Sequence, residues 1–259
     1  MSAGFLTATA TVAARTVRQF VRTPQLLVVA TVQTAMFLLI FRYVMGGAIR
    51  SGGLAYVDFL VPGFLVSGIL FTGSGAAAGV AEDTATGVHD RLRSLPIPRL
   101  SIVAGRSLAD VALLAWSLGI TAALGYAVGF RTGGRAAEVA LAYVLLLVFG
   151  VAWGWLFITL GLVAGSAQAA QGLGMIVFPF SFVSSAYVPV DSMPGWMQAF
   201  ADHQPITAMT NAVRSLMQGG PEAVGIGHTT TYWVVASLLW SVALLAVFAP
   251  LASWRSARR

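Results

Sequence analysis

The feature that most constrains this chain is a series of apolar runs, each too long for the core helix of a small soluble domain. A helix needs about 20 apolar residues to cross the hydrocarbon core of a membrane, and several runs reach that length. Only 9% of the residues are charged, whereas soluble domains carry about 25%. The pattern therefore predicts an all-α integral membrane protein without a sizeable soluble domain.

Six of these runs are predicted to cross the membrane as one transmembrane domain, residues 1–259. An amphipathic surface helix over residues 5–22 precedes them, because its arginines and its apolar residues fall on different faces. Residues 189–225 are too polar to span, so they are predicted to form short re-entrant or interfacial helices shielded by protein. The predicted spans are 26–45, 59–80, 101–128, 137–163, 170–188 and 232–252.

Charge is densest inside the chain over residues 82–106, which hold four of the fifteen arginines and three of the nine acidic residues. Residues 82–98 lie between the second and third spans and are predicted to form a coupling helix. Such a helix would transmit a push from a cytoplasmic partner into both spans. The spacing fits equally well a loop that is basic only to fix orientation, because cytoplasmic loops of membrane proteins are usually basic.

The arginines also predict the orientation. Six spans place both termini on one side, and ten of the fifteen arginines then fall on that side, with five on the other. Because basic residues collect in cytoplasmic loops, both termini and residues 82–98 are predicted to be cytoplasmic, in a multi-pass protein of the cell membrane. Residues 189–225 are then extracellular.

The residue types that are missing exclude several functions. The chain has no lysine and no cysteine, so it lacks the phosphate-binding lysine of a P-loop ATPase and any thiol chemistry. No HExxH motif occurs and the three histidines are dispersed, so no metal site, cofactor site or catalytic residue is predicted. The basic residues flank apolar runs, which argues against nucleic acid as a partner. A membrane-embedded enzyme is the alternative from a different functional class.

Polar side chains within the predicted spans are candidates for a transport path. Gln33 and Thr34 near the middle of the first span, with Ser181 and Ser184 in the fifth, could line a substrate path or a dimer seam. Gln33 could equally donate a hydrogen bond to a neighbouring helix. Arg106 and Asp110 lie one helical turn apart and are predicted to pair, either as a gate or as an anchor for the third span.

Two separated stretches resemble a known family. One runs from Asp90-Arg-Leu-Arg-Ser-Leu-Pro-Ile-Pro-Arg to Ala104-Gly-Arg106, and the other is Ser184-Ser-Ala-Tyr-Val-Pro-Val-Asp-Ser-Met-Pro-Gly-Trp-Met-Gln-Ala-Phe. Both resemble type 2 ATP-binding-cassette (ABC) exporter permeases, specifically the daunorubicin-resistance-type branch. The resemblance extends over nearly the whole chain.

The resemblance implies a permease that forms a homodimer or a related heterodimer and binds two copies of an ABC ATPase subunit. ATP and magnesium would bind to that ATPase, and this chain would carry no cofactor. The complex would export hydrophobic or amphiphilic molecules, drug-like or lipid-like, by alternating access. Export of a cell-wall polysaccharide or lipid by a permease of the same type is the alternative.

The resemblance also assigns residues to these functions. The implied extracellular gate contains Pro194, Trp196, Phe200 and Asn211. The surface helix and residues 82–98 would contact the ATPase. The implied coupling residues are Arg15, Arg18, Arg22, Glu82, Asp83, His89, Asp90, Arg91, Leu92 and Arg93.

Overall fold

The computed structural model describes residues 4–22, 24–49, 54–87 and 98–258. Every regular element in these ranges is a helix, which confirms the all-α class for the described part of the chain. In chain order the elements are α1 (Phe5–Val21), α2 (Pro24–Leu39), a π-helix (Ile40–Met45), α3 (Tyr56–Ala85), α4 (Arg99–Ala127), α5 (Ala136–Val163), α6 (Ala167–Ile176), α7 (Pro179–Phe182), a 3-10 turn (Val190–Ser192), α8 (Gly195–His203), α9 (Pro205–Gln218), α10 (Pro221–Val224) and α11 (Thr230–Arg258).

Within the described residues, four helices are long and apolar enough to cross a membrane. They contain between 24 and 30 residues, which at a rise of about 1.5 Å per residue exceeds the hydrocarbon thickness of about 30 Å. A shorter apolar helix covers Thr31–Met45. The four candidate spans are Tyr56–Ala85, Ala104–Ala127, Ala136–Val163 and Thr230–Ser256.

The region predicted as one continuous span over residues 170–188 has a different structure. α6 ends at Ile176, a turn follows, and α7 is a single turn of helix from Pro179. Proline has no amide hydrogen, so Pro179 cannot donate to the carbonyl four residues earlier, and the helix is interrupted there. Residues 183–189 are not helical.

The core of the bundle lies between α3 and α5. Three large side chains of α5, Leu146, Phe149 and Phe157, are fully buried in the cluster that also contains the apolar side chains of α3. α11 packs along α5, yet most of its apolar residues remain exposed, as expected for a helix that faces lipid. α1 lies outside this core and packs along α4.

The most enclosed element is α9, in which every residue from Ile206 to Gln218 is buried. Pro205 occupies the first turn and Gly219 ends the helix with φ of +84°, a conformation that glycine adopts without strain. α9 contacts α3, α5 and α11. Of the short helices within residues 189–225, α9 is therefore surrounded by protein, while α8 lies at the surface.

Candidate functional site

At the end of the bundle where α1 packs, four charged side chains form one connected group, which we call the Asp83 cluster. Arg15 of α1 donates to Asp83 Oδ1 at 3.2 Å, and Arg106 of α4 donates to Asp83 Oδ2 at 3.1 Å. Arg106 Nε also donates to Asp110 Oδ1 at 3.2 Å. One acid of α3 therefore joins α1 to α4, and a second acid holds Arg106 from inside α4.

The backbone of α3 is shaped to receive Arg106. The guanidinium Nη2 donates to the carbonyl of Ala76 at 3.2 Å. A Cβ atom at Gly79 would approach that same Nη2 to 2.5 Å, so a side chain at this position would force the guanidinium to move. In α4, a Cβ at Gly105 would lie 2.7 Å from the Cβ of Val12, so this glycine lets α1 lie directly against α4.

The side chains of the Asp83 cluster become less exposed from Arg15 to Asp110. The side chain of Arg15 is 39% exposed and that of Asp83 is 25% exposed, whereas Arg106 and Asp110 are about one-tenth exposed. Two arginines balance two acids, so the group is neutral as a whole. The inner pair, Arg106 and Asp110, is fixed. The outer pair, Arg15 and Asp83, is accessible to water and can exchange partners at little cost.

The structure brings together only some of the residues that the resemblance assigns to ATPase coupling. Arg15 and Asp83 are paired, while Arg18 of α1, Arg22 just after α1 and Glu82 of α3 are exposed. The remaining coupling residues lie outside the described part of the chain; they are His89, Asp90, Arg91, Leu92 and Arg93.

At the opposite end of the bundle a single arginine, Arg214 of α9, is completely buried. Its Nε donates to the carbonyl of Phe59 at 3.0 Å, its Nη2 to the carbonyl of Ser185 at 2.7 Å, and its Nη1 to Asn211 Oδ1 at 3.1 Å. The guanidinium carbon also lies 3.7 Å from the ring centroid of Phe59. We call this arrangement the Arg214 clamp.

Among the described residues, no carboxylate lies within ion-pair distance of Arg214. The charge is instead shared among neutral oxygens and one aromatic face. Burial lowers the pKa of Arg214 to about 9, which still leaves the guanidinium charged at neutral pH. The clamp therefore fixes α9 against the first turns of α3 and against the chain that follows α7.

The non-helical chain after α7 has its polar backbone groups bonded by side chains. The amide of Ser185 donates to Thr207 Oγ1 at 3.2 Å, and the hydroxyl of Tyr56 donates to the carbonyl of Tyr187 at 3.1 Å. Gln204 Nε2 donates to the carbonyls of Phe180 and Val183. Irregular backbone among membrane helices needs such partners, because lipid supplies none.

The residues predicted to line a substrate path differ in their exposure. Gln33 is exposed on α2 and Thr34 is half-buried, whereas Ser181 and Ser184 are fully buried. The two serine hydroxyls donate to nearby carbonyls, those of Phe178 at 2.7 Å and Ser181 at 2.6 Å. Both serines thus close local turns in this conformation and do not line an open path.

The four predicted gate residues also fall in two groups. Pro194, Trp196 and Phe200 are exposed on or beside α8, while Asn211 is buried in α9 and joins Ser185 to the Arg214 clamp. Within the described ranges, no group of three or more histidine, aspartate and glutamate side chains could hold a metal ion.

Two contacts of these sites were not predicted from the sequence. The arginine count places Arg214 in an extracellular loop, although it lies three residues after Asn211 in α9. That spacing was the available signal for a buried polar pair. The contact between Asp83 and Arg106 joins residues 23 positions apart across the segment between two consecutive helices, so no local periodicity could indicate it.

Comparison with known proteins gives a consistent result. The ABC-2 type transporter family matches residues 7–217. The chain is 35% identical over 239 residues to the daunorubicin resistance ABC transporter permease protein DrrB1 of Streptomyces coeruleorubidus, covering 92% of this chain and 81% of that protein.

More distant relatives carry related names. The chain is 25% identical over 197 residues to a probable doxorubicin resistance ABC transporter permease protein DrrC of Mycobacterium tuberculosis, with 74% of this chain and 70% of that protein covered. It is 28% identical over 197 residues to ABC transporter G family member 20 of Dictyostelium discoideum, of which it covers 26%. These matches confirm the resemblance seen in the residues: the chain belongs to the ABC-2 type transporter family and is a membrane permease of the ABC type.

Proposed function

We propose that this chain is the membrane subunit of an exporter that moves hydrophobic or amphiphilic molecules out of the cell, powered by a separate ABC ATPase. With no lysine to bind nucleotide phosphate, the chain needs a motor on another subunit. Two copies of that ATPase and a second permease copy would complete the complex, with ATP and magnesium bound to the ATPase. Its mechanism would be alternating access, in which closure of the motors switches the paired permeases from inward to outward access.

The observation that carries this proposal is the Asp83 cluster. It joins α1, α3 and α4, and its central acid, Asp83, lies within residues 82–98, the predicted coupling segment. A displacement of that segment by a docked ATPase would act on Asp83 and Arg106 together, and so on both helices. The more exposed outer pair can rearrange during such a movement while the inner pair keeps Arg106 attached to α4.

The proposed topology has six spans with both termini in the cytoplasm. α2 and its π-helix would form the first span, and the interrupted α6–α7 segment would form the fifth. The burial of Arg214 strengthens the orientation predicted from the distribution of arginines, because a fully buried arginine is not a loop charge. With Arg106 left out as well, because it is also buried, four arginines remain on the outer side against nine on the cytoplasmic side.

The outer end would act as the gate. α8 and α9 form this gate together with the non-helical chain after α7, and the Arg214 clamp holds it closed in the present conformation. Gln33 and Thr34 on α2 are candidates for the substrate path or the dimer seam, because Gln33 is a polar side chain exposed among apolar residues.

The proposed cargo class follows from the relatives. Two of them are named for resistance to daunorubicin and doxorubicin, which are amphiphilic drugs with fused aromatic rings. We propose a cargo of this general kind, a drug-like or lipid-like amphiphile that enters from the membrane.

The experiment is ATP-dependent uptake of doxorubicin into inverted membrane vesicles that contain the permease and its ATPase. Replacement of Arg91, Leu92 and Arg93 together by alanine should abolish uptake while the protein still inserts into the membrane. Arg135→Ala is the matched control, because Arg135 is 89% exposed at the opposite end. If the triple variant took up doxorubicin as well as the wild type, the proposed coupling role would be wrong. Uptake without any ATPase would contradict the proposal as a whole.

A further inference from the structure

A cavity of about 20 Å³ lies inside the bundle, at the inner end of the Asp83 cluster. It is formed where α3, α4 and α5 come together, and residues of all three helices line it. A cavity needs about 10–15 Å³ to hold one group of the size of a water molecule. This cavity therefore has room for one such group.

Asp110 lines this cavity and has one carboxylate oxygen left for a ligand. Its Oδ1 accepts from Arg106 Nε at 3.2 Å. Its Oδ2 is buried and has no hydrogen-bond partner among the residues that the structure describes. The residue as a whole is 9% exposed. A buried carboxylate oxygen without a donor is costly, so Oδ2 is a site for a hydrogen-bond donor.

The charges around Asp110 favour a positively charged donor. Arg106 is shared between Asp83 and Asp110, so these three side chains carry one more negative charge than positive charges. Arg15 compensates for that charge from the other side of Asp83, where it is partly exposed to water. Asp110 is the only charged side chain among the described residues that line the cavity. A cation in the cavity therefore meets a carboxylate and no competing arginine.

The other polar side chains that line the cavity are hydroxyls, those of Thr72 and Ser107. Thr72 Oγ1 donates to the carbonyl of Gly68 at 2.9 Å, so toward the cavity its oxygen can only accept. Acceptors suit an ammonium group, which has three donors and no acceptor. Calcium and magnesium take about six or more oxygen ligands, which is more than one carboxylate and two hydroxyls supply.

The cavity opens between α4 and α5 on the side of the bundle. A Cβ atom at Gly154 of α5 would meet nothing within 4 Å, so the wall is open at this residue. Val111 of α4 and Val151 of α5 also line the cavity and are half-buried. Leu108 and Val148, one turn before them, are exposed. Because this surface is apolar, a molecule that carries a charge into the cavity needs an apolar part of its own.

We infer that the cavity binds the protonated amino group of an amphiphile. Asp110 Oδ2 is its counter-ion, and the hydroxyls of Thr72 and Ser107 are further acceptors. The apolar part of the molecule lies between α4 and α5, in contact with lipid. The inference rests on the proposed function in one respect, that this amphiphile is the cargo of the exporter.

The same chemistry has a second source, the headgroup of phosphatidylethanolamine. Asp110 is the seventh residue of the candidate span Ala104–Ala127, about 9 Å from its start. A lipid amine therefore has a short distance to travel, and the test must separate the lipid from the cargo.

The absence of cysteine from the chain allows the charge preference of the cavity to be measured directly. Gly154→Cys places a thiol at the opening. Gly119→Cys in α4 is the matched control, because a Cβ there also meets nothing within 4 Å. Each full-length variant would be reconstituted in phosphatidylcholine vesicles. Mass spectrometry would follow modification by 2-aminoethyl methanethiosulfonate, which carries a primary ammonium group, and by the neutral methyl methanethiosulfonate.

The ratio of the ammonium rate to the neutral rate should be several-fold higher at position 154 than at position 119. Adding Asp110→Asn should lower the ratio at position 154 to that of the control. Equal ratios at the two positions, a preference that survives Asp110→Asn, or no reaction at position 154 would each overturn the inference. If Asp110→Asn fails to fold, the comparison of the two positions decides alone. The assay needs no ATPase, so its failure leaves the proposed transport function standing.

Protection of the Gly154→Cys variant identifies the source of the amine. Doxorubicin, whose sugar carries a primary amine, should slow the modification several-fold, whereas N-acetyldoxorubicin, which lacks that charge, should not. Protection by phosphatidylethanolamine in vesicles without drug would assign the cavity to a lipid headgroup. Equal protection by both forms of the drug would overturn the inference, because the rings and not the amine would then cover the opening. Failure of both amines to protect would also overturn it.

Discussion

Two arginines, Arg106 and Arg214, lie buried at opposite ends of the bundle, and their partners are of different kinds. Arg106 is bonded to two carboxylates and one carbonyl, in a group that opens to water through Asp83 and Arg15. Arg214 is bonded to two carbonyls and an amide oxygen and is sealed from solvent.

The difference indicates which end can change its contacts. An exposed ion pair exchanges with water and salt at a cost of about 1 kcal/mol or less, so the outer part of the Asp83 cluster can be remade during each transport cycle. Moving a buried arginine away from its acceptors leaves polar groups buried without hydrogen bonds, which is costly. The Arg214 clamp should therefore separate only when α9 moves as a unit.

The largest expected effect is loss of the Arg214 clamp. Arg214→Ala removes one donor from each of three buried acceptors, of which Asn211 Oδ1 keeps the hydroxyl of Ser185; each acceptor left unsatisfied should cost about 1–3 kcal/mol. Arg214→Lys should recover only part of this stability, because an ammonium group cannot reproduce the planar fork of the guanidinium. The unfolding temperature of both variants is measured by heating the detergent-solubilised protein and monitoring it by size-exclusion chromatography. Melting of Arg214→Ala at the wild-type temperature would show that the clamp contributes nothing.

Asp83→Asn should lower stability less than Arg214→Ala does, and it should impair coupling to the ATPase more. The amide has one oxygen for two arginines, which should cost about 1–3 kcal/mol. Because Arg106 keeps Asp110, α4 should remain folded. The comparison with Arg214→Ala is made on the same thermal unfolding assay. If Asp83→Asn proved the less stable of the two, the proposed contrast between the ends would be reversed.

Gly79→Ala tests the space reserved for Arg106. The added methyl group would lie 2.5 Å from Arg106 Nη2 and should displace the guanidinium, at a cost of about 1 kcal/mol. Gly75→Ala in the same helix is the control, since a Cβ there meets nothing within 4 Å. That change should be neutral, or stabilising by up to about 1 kcal/mol through helix propensity. Equal unfolding temperatures for the two variants would show that Arg106 adapts without loss.

Arg15→Gln should have the smallest effect on stability, at most about 1 kcal/mol, because its pair with Asp83 is partly exposed. The difference from the wild type should shrink further at 1 M salt, where the screening length is about 3 Å. Unfolding temperatures at low and high salt provide the measurement. A difference that grows with salt would mean that Arg15 acts through packing and not through charge.

The sequence was most informative where the physical signal is long and periodic. The candidate spans of α3, α4, α5 and α11 follow from apolar length alone, and the pairing of Arg106 with Asp110 was predicted from their separation of one turn. The amphipathic pattern of residues 5–22 likewise predicted α1.

Other features depend on the tertiary structure and could not be read from local pattern. The break at Pro179 was missed because the residues around it are apolar enough to continue a span. The non-helical chain after it depends on distant side chains that bond to its carbonyls, those of Gln204, Arg214 and Tyr56. The enclosure of α9 was missed for a related reason. Its polar residues are those of a surface helix, and only their partners on α3 and after α7 make burial possible.

The most direct test of the proposed coupling role of the Asp83 cluster is drug-stimulated ATP hydrolysis by the assembled complex in proteoliposomes. Wild-type permease, Asp83→Asn and the exposed-site control Arg135→Ala would each be reconstituted with the same ATPase subunit. Asp83→Asn is expected to retain the bound ATPase and its basal hydrolysis but to lose stimulation by doxorubicin, while Arg135→Ala behaves as the wild type. Full stimulation in Asp83→Asn would contradict the proposal that movement passes between the motor and the bundle through this cluster.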